Sequence, residues 1–162
     1  MPRYDNSPKD VTATIPIFPK GDYEFSLGEP KPFARTNPEG KLSHGVRFPL
    51  VCEEVLEEGD PNFKGKRTLL SCYMHTEGGV SYSKQVQMAV FGFEKNPEGE
   101  AAFNEEHGDQ DWSYNTDEDA LSVGDKWAEM QGKRVVISMD EGIHPTSGDK
   151  NQKFVSYRPL GT

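Results

Sequence analysis

Arg67, Tyr73 and His75 stand on one side of the stretch 64–75, "KGKRTLLSCYMH", while Thr68, Leu70, Cys72 and Met74 stand on the other. Strand side chains alternate between two faces, so one face of this segment is apolar and the other mixes cations with rings. That mixture has a specific chemistry. A phosphate backbone is held by cations along its track, and an unpaired base stacks on a flat ring. Lys66, Arg67, Tyr73 and His75 offer both on this segment, and Arg47 adds a cation on the segment before it. Phe33 and Arg35 stand at the mouth of an earlier loop, and Lys153, Tyr157 and Arg158 repeat the mixture near residue 155. The plainer alternative is a set of solvated strand faces, since Tyr is a good strand former. The grouping, more than any single residue, favours binding.

The elements that must position these residues are read from periodicity. "GDYEFSLG" (21–28) alternates Tyr23, Phe25 and Leu27 with polar residues and predicts a half-buried strand that Pro30 and Pro32 end or bend. A connecting loop over 34–45 leads to a second strand over 44–56, with Val46, Phe48, Leu50 and Cys52 on one face and a bulge or edge at Pro49. The third strand covers 66–76. The period then changes, and Tyr82, Val86, Ala89, Val90 and Phe93 define one face of a helix over 82–93, capped by Ser81 or Ser83. A short helical turn over 119–132 directs Leu121, Trp127 and Met130 inward and ends at Gly132. Strands over 133–140 and 152–158 complete the chain. The expected class is all-β with one or two short helices. The order, with a helix between strands three and four, predicts a five-stranded Greek-key barrel of the OB type, whose common ligands are oligonucleotides and oligosaccharides. Residues 1–19 predict a flexible or extended polar arm, and 20–162 a single domain.

The net charge of -9 conceals an asymmetry. Residues 96–120 carry nine acids and no Lys or Arg, which leaves 18 acids and 18 bases elsewhere. Residues 61–95 hold five bases against two acids. Such asymmetry speaks of partners more than of fold. The acidic segment reads as a mobile surface loop, dispensable for folding.

"GDYEFSLGEPK" (21–31), "HGVRFPLVCEEVLEEGDPNFKGKRTLL" (44–70), "MQGKRVVISM" (130–139) and "QKFVSYRPL" (152–160) together resemble a family of small bacteriophage OB-fold single-stranded DNA-binding proteins encoded among replication and recombination genes. The resemblance implies a protein that coats single-stranded DNA during replication or recombination without catalysis, in the cytoplasm of an infected cell. The segment 96–120 departs from the family pattern, and the chain closes on "YRPLGT" where many such binders carry an acidic tail. The acidic segment is then the candidate for contacting replication or recombination proteins.

Other chemistries find little support. His44, Cys52, Cys72 and His75 lack the paired ligand spacing of a zinc site, so no metal and no cofactor is expected. No GxSxG, Walker loop or Gly-rich strand-to-helix turn occurs, so no enzyme is expected. Cys52 and Cys72 read as reduced core residues. The opening "MPRYDNSPKD" is polar, which predicts no signal peptide, and no apolar run approaches the roughly 20 residues of a membrane span. The competing function is a structural or adaptor protein, such as a virion component, using the same barrel for protein contacts.

Overall fold

Tyr23, Phe25 and Leu27 are buried while Asp22, Glu24 and Ser26 are half-buried, so the alternation in the sequence becomes strand β1 (Gly21–Leu27). The computed structural model describes residues 15–161. After β1 come β2 (Lys31–Thr36), β3 (Leu42–Val55), a short 3-10 turn (Pro61–Phe63), β4 (Arg67–Tyr73) and helices α1 (Glu77–Val90) and α2 (Pro97–His107). The chain continues through β5 (Tyr114–Asn115), β6 (Ser122–Val123), helix α3 (Asp125–Glu129), β7 (Arg134–Ile143) and β8 (Lys150–Arg158).

The main sheet has six antiparallel strands. On one side of β3, residues 42–47 pair with β2 and residues 50–55 pair with β1; on the other side, residues 45–51 pair with β4. Strand β7 joins the free side of β1, and β8 joins β7. Pro49 sits where β3 changes partner from β2 to β1. Its missing N–H falls at that break, and its carbonyl accepts from Gly28 N–H at 2.7 Å. The irregularity expected at Pro49 lies instead between Glu24 and Phe25 of β1. The sheet is not closed. Strands β4 and β8 remain unpaired with each other, and α1 packs against β4, β7 and β8 across the gap.

The core gathers Tyr23, Phe25, Phe48, Leu50, Leu70, Val86, Trp127 and Ile137. Phe18 belongs to it, fully buried, so the docked part of the expected N-terminal arm is a core contributor. Phe18 N–H donates to Gln152 Oε1 at 2.6 Å, and Gln152 Nε2 donates back to Phe18 O at 3.1 Å. The rest of that arm, 1–14, lies outside the described residues. Cys52 and Cys72 are free and buried, and burial pushes their thiols up to about 11 and about 12. Among the described residues no helix is long and apolar enough to cross a membrane.

Where the sequence predicts a five-stranded barrel with one or two short helices, the described residues form an open six-stranded sheet, a two-stranded hairpin and three α-helices. Four further expectations are corrected. Strand β1 ends at Leu27, ahead of the prolines as expected, but the connecting loop expected over 34–45 is largely strand, because β2 forms on an edge where proline is tolerated and β3 begins at Leu42. Helix α1 starts earlier than expected: Thr76 is its N-cap, accepting from Gly79 N–H at 3.0 Å, and Tyr82 is exposed. Leu121 is exposed as well, although Trp127 and Met130 are buried as the spacing predicts. The acidic segment is not a mobile loop. Asn96 caps α2 by accepting from Gly99 N–H at 2.7 Å, Pro97 occupies its first turn, and Phe103 and His107 bury one side. His107 stacks on Phe91 at 4.6 Å, and Trp112 meets core Trp127 edge-on at 5.2 Å. Indole N–H groups tie the segment down: Trp112 donates to His107 O at 2.9 Å and Trp127 donates to Trp112 O at 2.7 Å.

The insert therefore contributes to stability. Phe103→Ala should cost about 3–5 kcal/mol in denaturant unfolding, the usual loss for a buried phenylalanine; a cost below about 1 kcal/mol would show that the segment is not anchored. The thiols give a second check. Held well above the ordinary range of about 8.5, neither cysteine should react with an alkylating reagent at pH 8 until the protein unfolds, and rapid native-state labelling would contradict their burial.

Candidate nucleic-acid interface

Strands β2, β3 and β4 share an outer face built rung by rung. Lys31 lies opposite Arg47, which lies opposite Ser71. Phe33 lies opposite Gly45, which lies opposite Tyr73. Arg35 lies opposite Ser43, Pro49 opposite Leu69, and Val51 opposite Arg67. The two faces of β4 are those the sequence predicts: Thr68, Leu70 and Cys72 are buried, while Arg67, Leu69 and Tyr73 are exposed.

Gly45 makes the central rung possible. It carries no side chain between Phe33 and Tyr73, so their rings meet across it edge to face, with centroids 5.4 Å apart at 90°. A β-carbon at Gly45 would run into the carbonyl oxygen of Cys72. Arg47 lies over the Phe33 ring, its guanidinium carbon 4.5 Å from the centroid, and its Nε donates to Ser71 Oγ at 3.1 Å. Two shallow grooves share Phe33 and Arg47. One, of about 480 Å³, runs over Lys31, Pro49 and Leu69. The other, of about 250 Å³, runs over Arg35, Ser43 and Tyr73.

The cations of this face differ from most of those elsewhere on the sheet, Lys153 of β8 being the exception. On β7 and β8, Arg134 pairs with Glu24 at 2.8 Å, Arg158 with Asp22 at 3.0 Å and Lys150 with Glu141 at 3.5 Å. Among the described residues, Lys31, Arg35, Arg47 and Arg67 are in no ion pair. Glu29 borders the same groove without pairing to them. Lys31 and Arg47 are direct cross-strand neighbours, and like charges so placed oppose folding.

The remaining expected residues are more scattered. His75 follows the end of β4, its ring 5.8 Å from Tyr73 and 5.9 Å from His44. Arg67 shares the outer face but lies beyond the grooves. Lys66 sits at the turn before β4, its Nζ 4.4 Å from the Phe63 ring, and does not join the cluster. Lys153 and Tyr157, on β8, line a separate cleft against α1 that reaches Tyr73. Burial holds the Tyr157 hydroxyl well above the ordinary phenol range, so it stays neutral. Lys31 escapes sequence reading because the prolines on either side of it disguise β2.

The insert supports this face from behind. Strand β6 contacts β2, and the Tyr114 hydroxyl lies 2.6 Å from His44 Nδ1. His44 alternates with Gly45 and points away from the Phe33–Tyr73 side, so the β5–β6 hairpin backs the wing that carries the rings.

The central rung depends on the missing side chain. Gly45→Ala should destabilise the protein by about 1–3 kcal/mol or more through overpacking of β3 against β4, read from the thermal midpoint; an unchanged midpoint would show that the two strands have room to separate. No protein-family model matches the chain, and no curated protein matches it.

Proposed function

We propose that the protein binds single-stranded DNA across the outer face of β2, β3 and β4, without catalysis. The observation that carries this reading is the unneutralised pair Lys31 and Arg47 beside two touching rings, on a protein whose β7 and β8 arginines are matched by carboxylates. A polyanion relieves that repulsion, and the exposed Tyr73 ring with half-buried Phe33 beside it gives its bases a stacking surface. In this reading Arg35, Arg47 and Lys31 track phosphates, and Phe33 and Tyr73 stack bases. Ser71 and Phe33 hold the Arg47 side chain in place, which lowers the entropy lost on binding.

The topology agrees with this assignment. Strands β1 and β2 act as one interrupted strand along β3, and α1 spans the gap between β4 and β8. We take this as a partly open, OB-like barrel, a fold that uses its sheet face for oligonucleotides. The resemblance to phage single-strand binders points the same way. The alternative of a protein-contact module draws on the apolar rim at Pro49 and Leu69.

Fluorescence titration with labelled poly-dT at two salt concentrations separates the two. Tyr73→Ala should weaken binding about tenfold, since stacking is worth roughly 1–3 kcal/mol per base. Arg47→Ala should weaken it too and flatten the salt dependence by about 0.7, the slope per phosphate on a single strand. Wild-type affinity in both variants, or no binding by the wild-type protein, would remove this reading and leave protein contact.

A further inference from the structure

Tyr73 borders two surfaces at once. It closes the groove that holds Phe33, Arg35 and Arg47, and it also walls the cleft of about 300 Å³ between α1 and β8. That cleft is lined by Tyr82 of α1 and by Lys153, Phe154 and Tyr157 of β8. Its volume is at the lower end of small-ligand sites. Among the described residues, the two Phe, Tyr or Trp side chains that are exposed are Tyr73, at 43%, and Tyr82, at 59%. Both belong to this cleft, from opposite walls.

The chain holds those walls together. Ser83 Oγ donates to Tyr73 O at 3.2 Å and pins α1 to the end of β4. Gly79 faces the same carbonyl, where a β-carbon would come within 2.5 Å, so a glycine permits the close approach that sets Tyr82 beside Tyr73. Across the cleft, Lys153 is in no ion pair among the described residues, although Asp140 lies opposite it on β7. The floor, Phe154 and Tyr157, is half-buried and uncharged. The cleft repeats in small the composition of the groove next to it: a presented ring, an unneutralised cation and an apolar base.

Resting on the single-strand reading above, we infer that the bound strand continues past Tyr73 into the cleft between α1 and β8, where Tyr82 stacks a base and Lys153 meets a phosphate. Tyr73 is then the corner post between two segments of one path. Strands long enough to reach the cleft gain contacts that short ones lack.

The test compares thymidine oligonucleotides of about 5 and about 15 nucleotides, lengths within the range one such fold accommodates, by fluorescence anisotropy. The wild-type protein should bind the longer one more tightly. Tyr82→Ala should remove about tenfold of that gain, the loss of one stacked base. Lys153→Ala should reduce the salt slope for the longer oligonucleotide by about 0.7. Unchanged thermal midpoints confirm that both variants fold, since both side chains are exposed. If the length gain in Tyr82→Ala equals that of the wild type while Tyr73→Ala still binds weakly, the path ends at Tyr73 and this inference fails, with the β2–β3–β4 interface intact. If the wild-type protein binds neither oligonucleotide, the single-strand reading fails and this inference falls with it.

Discussion

Strand β3 must serve three partners, and much of the structure follows from how it does so. Its 14 residues pair with β2 and then β1 along one edge and with β4 along the other. Val46, Phe48, Leu50 and Cys52 enter the core from one face. A slip of one residue would turn all four outward, losing roughly 1.5–3 kcal/mol for each large apolar side chain re-exposed. The register that buries them also fixes Gly45 between Phe33 and Tyr73 and sets Arg47 opposite Lys31. The candidate interface is thus a consequence of core packing on the other side of the same strand, and it needs no separate device to hold its geometry.

Charge is divided along the sheet in the same way. Around β1, β7 and β8, arginines and carboxylates meet in pairs that are partly exposed, and such pairs contribute only about 0–1 kcal/mol each. Their absence on β2, β3 and β4 costs little stability in itself. What it leaves is a local positive field on a chain of net charge -9. The nine carboxylates of 96–120 lie on a folded insert whose buried side chains pack on Phe91 and Trp127. None of these carboxylates lines the two grooves that hold Phe33 and Arg47.

Strong alternation was legible in the sequence. Tyr23-Phe25-Leu27, Val46-Phe48-Leu50-Cys52 and Thr68-Leu70-Cys72 each mark a buried face, and the outward placement of Arg67 and Tyr73 follows from the last of these. Strand β2 was not legible, because Pro30 and Pro32 signal a stop and only pairing to β3 on a free edge overrides them. Helix α2 was hidden by its composition, although Asn96 and Pro97 form a proper start signal; Phe103 and His107 are its buried residues, too sparse to show a period. Tyr82 falls on the same helical spacing as Val86 and Ala89, yet it is exposed at the cleft between α1 and β8. Convergence of Phe33, Arg47 and Tyr73 depends on register across three strands, which no local pattern encodes, whereas Lys66 shares their composition and sits apart.

We propose that the β2–β3–β4 region of the sheet, and not the β7–β8 region, carries the single strand. Ultraviolet crosslinking of the protein to a thymidine oligonucleotide, followed by mapping of the modified peptides, tests it without altering the protein. Crosslinks are expected in the peptides containing Phe33 and Tyr73. Crosslinks confined to β7 and β8 around Arg134 and Arg158, or a bound complex that crosslinks at neither ring, would contradict it.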